Sequence, residues 1–326
     1  VIEIGKSAFE GCNNLQEINL SNLLISLENN LFLNCTKLKS IIIPDSVSRM
    51  GHSIFEKCKN LETVILSKII TSINEKTFAE CINLINIILP ESLTLIEKNA
   101  FRNCIKLESI DIPDNVIILK ENIFWGCKSL SNVTLSNSLT KLEESLFEEC
   151  SSLNNIIIPN SVTSIGDGCF YECHKLNDII LHNNINHLGG YCFGNCIRLE
   201  NITLSNKLQI IYENTFLNCE SLKTIEIPNS IKIINESAFY DCRDLNSITF
   251  SNSLESIGNY CFQDCHQLNN VIIPDSNKIL GNFAFANCKN LNSITFGNSL
   301  ESIGNYCFQG CHQLNNVIIP DSLKTL

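Results

Sequence analysis

Positive charge is scarce in this chain. Twenty-three Lys and Arg stand against 34 Asp and Glu, a net charge of −11. A nucleic-acid surface needs clustered basic residues, so that class of partner is excluded. Charge of either sign is thin, at 17% of residues, where ~25% is usual. Long apolar runs are missing as well. Aliphatic stretches end after a few residues, as in Ile41-Ile42-Ile43, far short of the ~18 that a spanning helix requires. The chain opens Val1-Ile2-Glu3-Ile4, with neither the basic region nor the apolar stretch of a secretory signal. It also lacks an initiator Met, and so reads as a fragment or a processed product.

What the chain does have is apolar bulk and cysteine. Hydrophobic residues make up 44% of 326, enough for a core, which excludes a disordered chain. The length suits two ordinary domains or one elongated array. Eighteen cysteines first suggest disulfides or zinc, but fourteen of them fall on one ladder, from Cys12, Cys35 and Cys58 to Cys311. Every step is 23 residues, without insertion or deletion. Phe stands three residues before each ladder cysteine, from Phe9 to Phe308, and Leu three residues after, from Leu15 to Leu314. Ile or Val follows at six, and Leu, Ile or Phe at eight. A strict period over fourteen copies means a solenoid of one repeated unit.

One coil shows the chemistry. Leu153-x-x-Ile156-x-Ile158 alternates apolar positions and ends β-branched, which predicts a short strand. Pro159 removes a backbone donor and ends it. Asn160 and Ser161 form a turn, Val162 and Ile165 return to the core, and Gly166 permits a bend. Asp167 is placed to cap a one- or two-turn helix carrying Phe170 and ending at Cys173. One strand and one such helix cannot form a core alone. Stacked coils would bury Phe on Phe, Leu on Leu and Cys on Cys.

The run Pro159-Asn160-Ser161-Val162-Thr163-Ser164-Ile165-Gly166, with Phe170 and Cys173, resembles the BspA-like, Treponema-type leucine-rich repeat. The resemblance covers the whole chain. It implies an α/β solenoid: a right-handed superhelix of about 14 coils with a parallel concave β-sheet and short helical turns, one domain over residues 1–326. It also implies adhesion or recognition proteins at the cell surface or secreted. Several coils depart from the pattern: Ser21, Ser67, Ser136, Ser205 and Ser251, His182 and Gly297 replace the Pro. These departures are expected to weaken local turns. Residues 245–276 and 291–322 differ only at Ser251/Gly297 and Asp264/Gly310, a duplication of two coils.

Each motif has a structural reading beside the chemical one. Equivalent atoms in stacked coils lie ~4.8 Å apart, within disulfide range, but their Cβ vectors run parallel, which is poor disulfide geometry. The ladder thiols are therefore expected to be buried and reduced. On that reading Cys150→Ser would cost ~1–3 kcal/mol, by burying a stronger polar group without a partner. Cys169, Cys192, Cys261 and Cys307, each before a Phe, read as small core fillers. A single-file ladder does not converge as a zinc site must, so no metal or cofactor is expected. His174, His266 and His312 follow ladder cysteines and point away from them, towards solvent. No phosphate loop or catalytic triad order is present, so an enzyme is not expected.

The informative surface is the outward strand position, seven residues after each ladder cysteine. Its central members are Ile88, Asp111, Thr134, Ile157, Ile180, Thr203, Glu226 and Thr249. Over fourteen coils seven are Ile and none is basic. Ser, Thr and Asn prevail two residues earlier. Two readings stand. The Ile column reflects strand propensity, or it is a docking stripe for a protein or peptide. It carries no aromatic residue, which argues against a sugar site built on stacking. The expected function is a non-enzymatic recognition or adhesion module. The alternative is a structural or scaffold solenoid, with end-to-end self-association into filaments as a corollary of uncapped ends.

Overall fold

In the computed structural model, residues 2–325 are described. They form two compact units, Val1–Val162 and Thr163–Leu326, each a stack of coils with parallel strands. Every paired residue lies 23 positions from its partner, as in Ser40↔Thr63 and Asp178↔Asn201. The sequence period and the strand register are therefore the same number.

The core is built of columns. In the first unit Phe9 to Phe147 stack coil on coil, with ring centroids 5.2–5.7 Å apart. Phe170 to Phe308 repeat the arrangement in the second unit at 5.1–5.8 Å. Offset stacking at this spacing is favourable beyond the area it buries.

Two expectations about secondary structure are corrected. First, most coils carry two short strands, where one was expected. Beside the three-residue row (Ser40–Ile42, Thr63–Ile65 and their equivalents) runs a row of two-residue strands such as Ser72–Ile73, Leu95–Ile96 and Ile118–Leu119. The buried member of each, Ile73, Ile96 or Leu119, is the residue the sequence returns to the core after the turn. That return is itself extended chain.

Second, among the described residues there is no helix, so the expected helical turns and the α/β class do not hold. A helix spends its N–H groups within itself. Here the segment before most ladder cysteines gives three of them to the next coil, as in Asn30 N–H to His52 O (3.0 Å), Phe32 N–H to Ile54 O (2.9 Å) and Asn34 N–H to Glu56 O (2.8 Å). The backbone can aim alternate N–H groups outward because residues five and one before the cysteine adopt positive φ, as at Asn30 (59°) and Asn34 (60°). A left-handed residue every fourth position forbids a helix. Asp167 is likewise no helix cap. Its Oδ1 accepts from Gly190 N–H in the next coil, at 2.9 Å.

The Ser-for-Pro departures do not leave weak turns. Ser67 and Ser136 are fully buried. Each hydroxyl donates to the preceding coil, to Val47 O at 2.6 Å and Val116 O at 2.7 Å. Ser136 Oγ also accepts from Ser138 N–H at 3.1 Å. A hydroxyl at this position thus serves as donor between coils and acceptor within one, which Pro cannot do.

Candidate binding surface

The outward strand positions are exposed as expected, but the row that presents them is interrupted. In the first unit Ser40–Ile42 pairs with Thr63–Ile65, and Ser109–Asp111 with Asn132–Thr134. The coil between, residues 86–88, keeps one bridge, Asn86↔Ser109, and no ladder to Thr63–Ile65. The two-residue row stays paired there, Ser72↔Leu95 and Ile73↔Ile96, so the coils separate on one side only. A groove of about 580 Å³ opens between them, lined by Thr63, Ile65, Leu66, Asn86, Ile88 and Pro90 among others. Ile88, on its lip, is 87% exposed, and Ile42 and Ile65 continue the apolar column at 62% and 53%. Ile157, in another coil outside the strand pairs, is also 87% exposed.

In the second unit the strands pair as Asp178–Ile180 with Asn201–Thr203 and Thr224–Glu226 with Ser247–Thr249. A second groove, about 750 Å³, lies where the row opens between these pairs. Asn201, Thr203, Thr224 and Glu226 are among its lining residues.

The eight candidate residues are therefore partly brought together. Asp111 sits opposite Thr134, Ile180 opposite Thr203 and Glu226 opposite Thr249. Ile88 and Ile157 stand outside the strand pairs.

The buried thiols are packed and protonated. Twelve ladder cysteines are buried, while Cys12 is exposed and Cys311 half-buried. All eighteen are free. Burial pushes the Cys35 thiol up to about 11, and Cys81 and Cys219 well above their ordinary range. A thiol held protonated is a poor nucleophile and metal ligand. The ladder thiols instead tie one coil to another: Cys58 Sγ donates to Phe32 O at 3.1 Å and Cys150 Sγ to Phe124 O at 3.2 Å. Among the described residues no three His, Cys, Asp or Glu side chains converge to hold a metal ion. No helix of the described residues is long and apolar enough to cross a membrane.

One feature was missed in the sequence. Tyr260, Phe283 and Tyr306, each five residues before a ladder cysteine, stack 5.2 and 4.9 Å apart on positive-φ backbone. Their 23-residue spacing was the available signal.

The profile of the BspA type leucine rich repeat region matches residues 2–131, 94–223 and 209–326, in six copies. The chain belongs to that family. Solved structures agree. A leucine-rich repeat protein from Bacteroides ovatus is 28% identical, with a TM-score of 0.74 over 93% of this chain and 87% of that one. A leucine rich cell surface protein from Faecalibacterium prausnitzii is 24% identical, with a TM-score of 0.58 over 93% and 83%. A leucine-rich repeat protein from Eubacterium ventriosum is 20% identical, with a TM-score of 0.55 over 92% and 83%. No curated protein matches the chain.

Proposed function

We propose that this chain is a non-enzymatic recognition or adhesion module that takes a protein or peptide partner on the outward face of its three-residue strands. The observation that carries the reading is the apolar column Ile42, Ile65 and Ile88 beside an open groove. A contiguous exposed aliphatic surface of this kind is costly to leave in water and marks a contact surface. The flanking Ser40, Thr63 and Asn86 supply polar groups for orientation, an apolar centre with a polar rim. In the first unit Ile88, Asp111, Thr134 and Ile157 are the proposed contacts, and in the second Ile180, Thr203, Glu226 and Thr249. Membership of the BspA type family supports a recognition role at the cell surface or in secreted form.

Peptides selected from a random displayed library against the intact chain provide the probe. Ile65→Lys with Ile88→Lys, and separately Thr203→Lys with Thr249→Lys, should weaken the selected peptides by roughly tenfold or more, with circular dichroism unchanged. Full binding by both double variants would remove the strand face as the site. Antibody labelling of intact cells tests the location.

A further inference from the structure

The second unit carries a polar groove along the edge of the strand face, where Ser247 and Asn270 hold the rim positions of Ser40 and Thr63. A groove of about 680 Å³ is lined by Asn246, Ser247, Gln267, Asn269, Asn270, Asn290, Asn292 and Gln313. Every one is a neutral amide or hydroxyl. In earlier coils of the same unit the corresponding positions hold Lys175, Arg198, Glu200 and Lys223, so the loss of charge is local. In a chain of net charge −11, an uncharged groove selects against ionic ligands.

The side chains are arranged, not merely abundant. Asn290 Nδ2 donates to Gln267 Oε1 at 3.0 Å, Ser293 Oγ to Asn270 Oδ1 at 2.7 Å, and Asn315 Nδ2 to Asn292 Oδ1 at 2.7 Å. These bonds fix rotamers before any ligand arrives, which lowers the entropic cost of binding. They also leave capacity. An amide has two donors and a two-lone-pair acceptor, and each of these bonds uses one site per partner. The groove thus presents donors and acceptors side by side.

A ligand matching this surface must itself donate and accept at each unit, carry no charge, and repeat along the coil axis. Coils repeat at ~4.8 Å, whereas an extended peptide advances ~3.3 Å per residue and ~6.6 Å per same-face pair, and falls out of register within two coils. A pyranose unit is about as long as one coil step, and its hydroxyls both donate and accept. We infer that this groove binds a neutral, linear oligosaccharide, through hydrogen bonds and without aromatic stacking. The duplicated segments make it two-fold: Asn246, Gln267 and Asn269 recur 46 residues on as Asn292, Gln313 and Asn315.

Calorimetric titration of the intact chain with cellohexaose, mannohexaose and laminarihexaose tests the inference. At least one should bind, with an affinity insensitive to salt because no ion pair is formed. Asn269→Ala with Asn292→Ala should weaken it by roughly tenfold. Asn269→Asp, which keeps the shape and changes one donor into charge, should weaken it too. Ile65→Lys with Ile88→Lys should leave it unchanged, which separates this site from the apolar column of the first unit. No binding by any of the three sugars overturns the inference. So does binding that survives both Asn changes, or binding confined to an anionic sugar such as a hyaluronan hexamer, or to peptides.

Discussion

At the residue scale the repeat is a set of hydrogen-bonding decisions, and two positions put numbers on them. The Phe124 carbonyl accepts from Cys127 N–H in its own coil at 3.0 Å and from the Cys150 thiol of the next at 3.2 Å. The ladder cysteine is thus a donor as well as a filler, and the expected penalty for serine, which rested on a missing partner, must shrink. Cys150→Ser should cost about 1 kcal/mol or less, and Cys150→Ala more, since Ala loses both the bond and the buried sulfur. Urea denaturation of the two variants decides; serine as the costlier change would show the bond to be idle. Asn277 is the opposite case. It is fully buried at a position held by Leu254 and Leu300 in the neighbouring coils, and both its amide atoms lack a partner. Asn277→Leu should stabilise the chain by about 1–3 kcal/mol through removal of an unsatisfied amide. A lower urea midpoint in the variant would contradict this. The cysteine spacing was legible in the sequence; the carbonyl each thiol reaches was not, because it belongs to a residue 26 positions earlier.

At the element scale the segment before each cysteine carries the main lesson. Its composition, rich in Asn, Ser, Gly and Asp, suits caps and left-handed turns alike. The sequence pattern alone therefore reads as a short helix, and the competing arrangement wins because it joins coils. Three N–H groups per coil gain partners next door, which a one-turn helix would leave in water. The strands show the same dependence on neighbours. The alternation around Ile156 and Ile158 correctly marked which side chains are buried, but the short strand expected there does not form; which strands pair is decided between coils, and the openings beside Ile65 and Ile88 leave no sequence signature. The left-handed sites carry strain where the residue is not Gly, Asn or Asp. Glu80 has φ of 61° one residue before Cys81, where other coils place Gly126 or Asn103. Glu80→Gly should stabilise by about 0.5–1 kcal/mol: relief of the left-handed cost of ~1–2 kcal/mol is partly offset by glycine's extra freedom in the unfolded chain. Thermal melts of the variant check the sign. A lower midpoint would mean that the strain is negligible and the side chain's own contacts dominate.

At the scale of the whole molecule the thiols act together, and alkaline pH is where their number shows. In the second unit eight cysteines have thiols raised above their ordinary range, with burial the largest cause at each. In the unfolded chain a thiol ionises near pH ~8.5. Below that value both states hold the proton, and pH has no leverage through these groups. Above it the unfolded chain gives up protons that the folded unit keeps, so stability falls as pH rises towards the folded values. Each thiol then contributes a slope of about −1.4 kcal/mol per pH unit, and eight together exceed the stability of an ordinary domain within roughly one to two units. The second unit should therefore lose its circular dichroism cooperatively between about pH 9 and 11, while remaining stable across neutral pH. Lys and Tyr also titrate in this window, so the thiol share needs its own control. Cys219→Ala with Cys242→Ala and Cys265→Ala removes three of the eight and should shift the alkaline midpoint upward relative to its stability at pH 7. An unchanged midpoint would assign the transition to the surface charges and show that the buried thiols ionise in place.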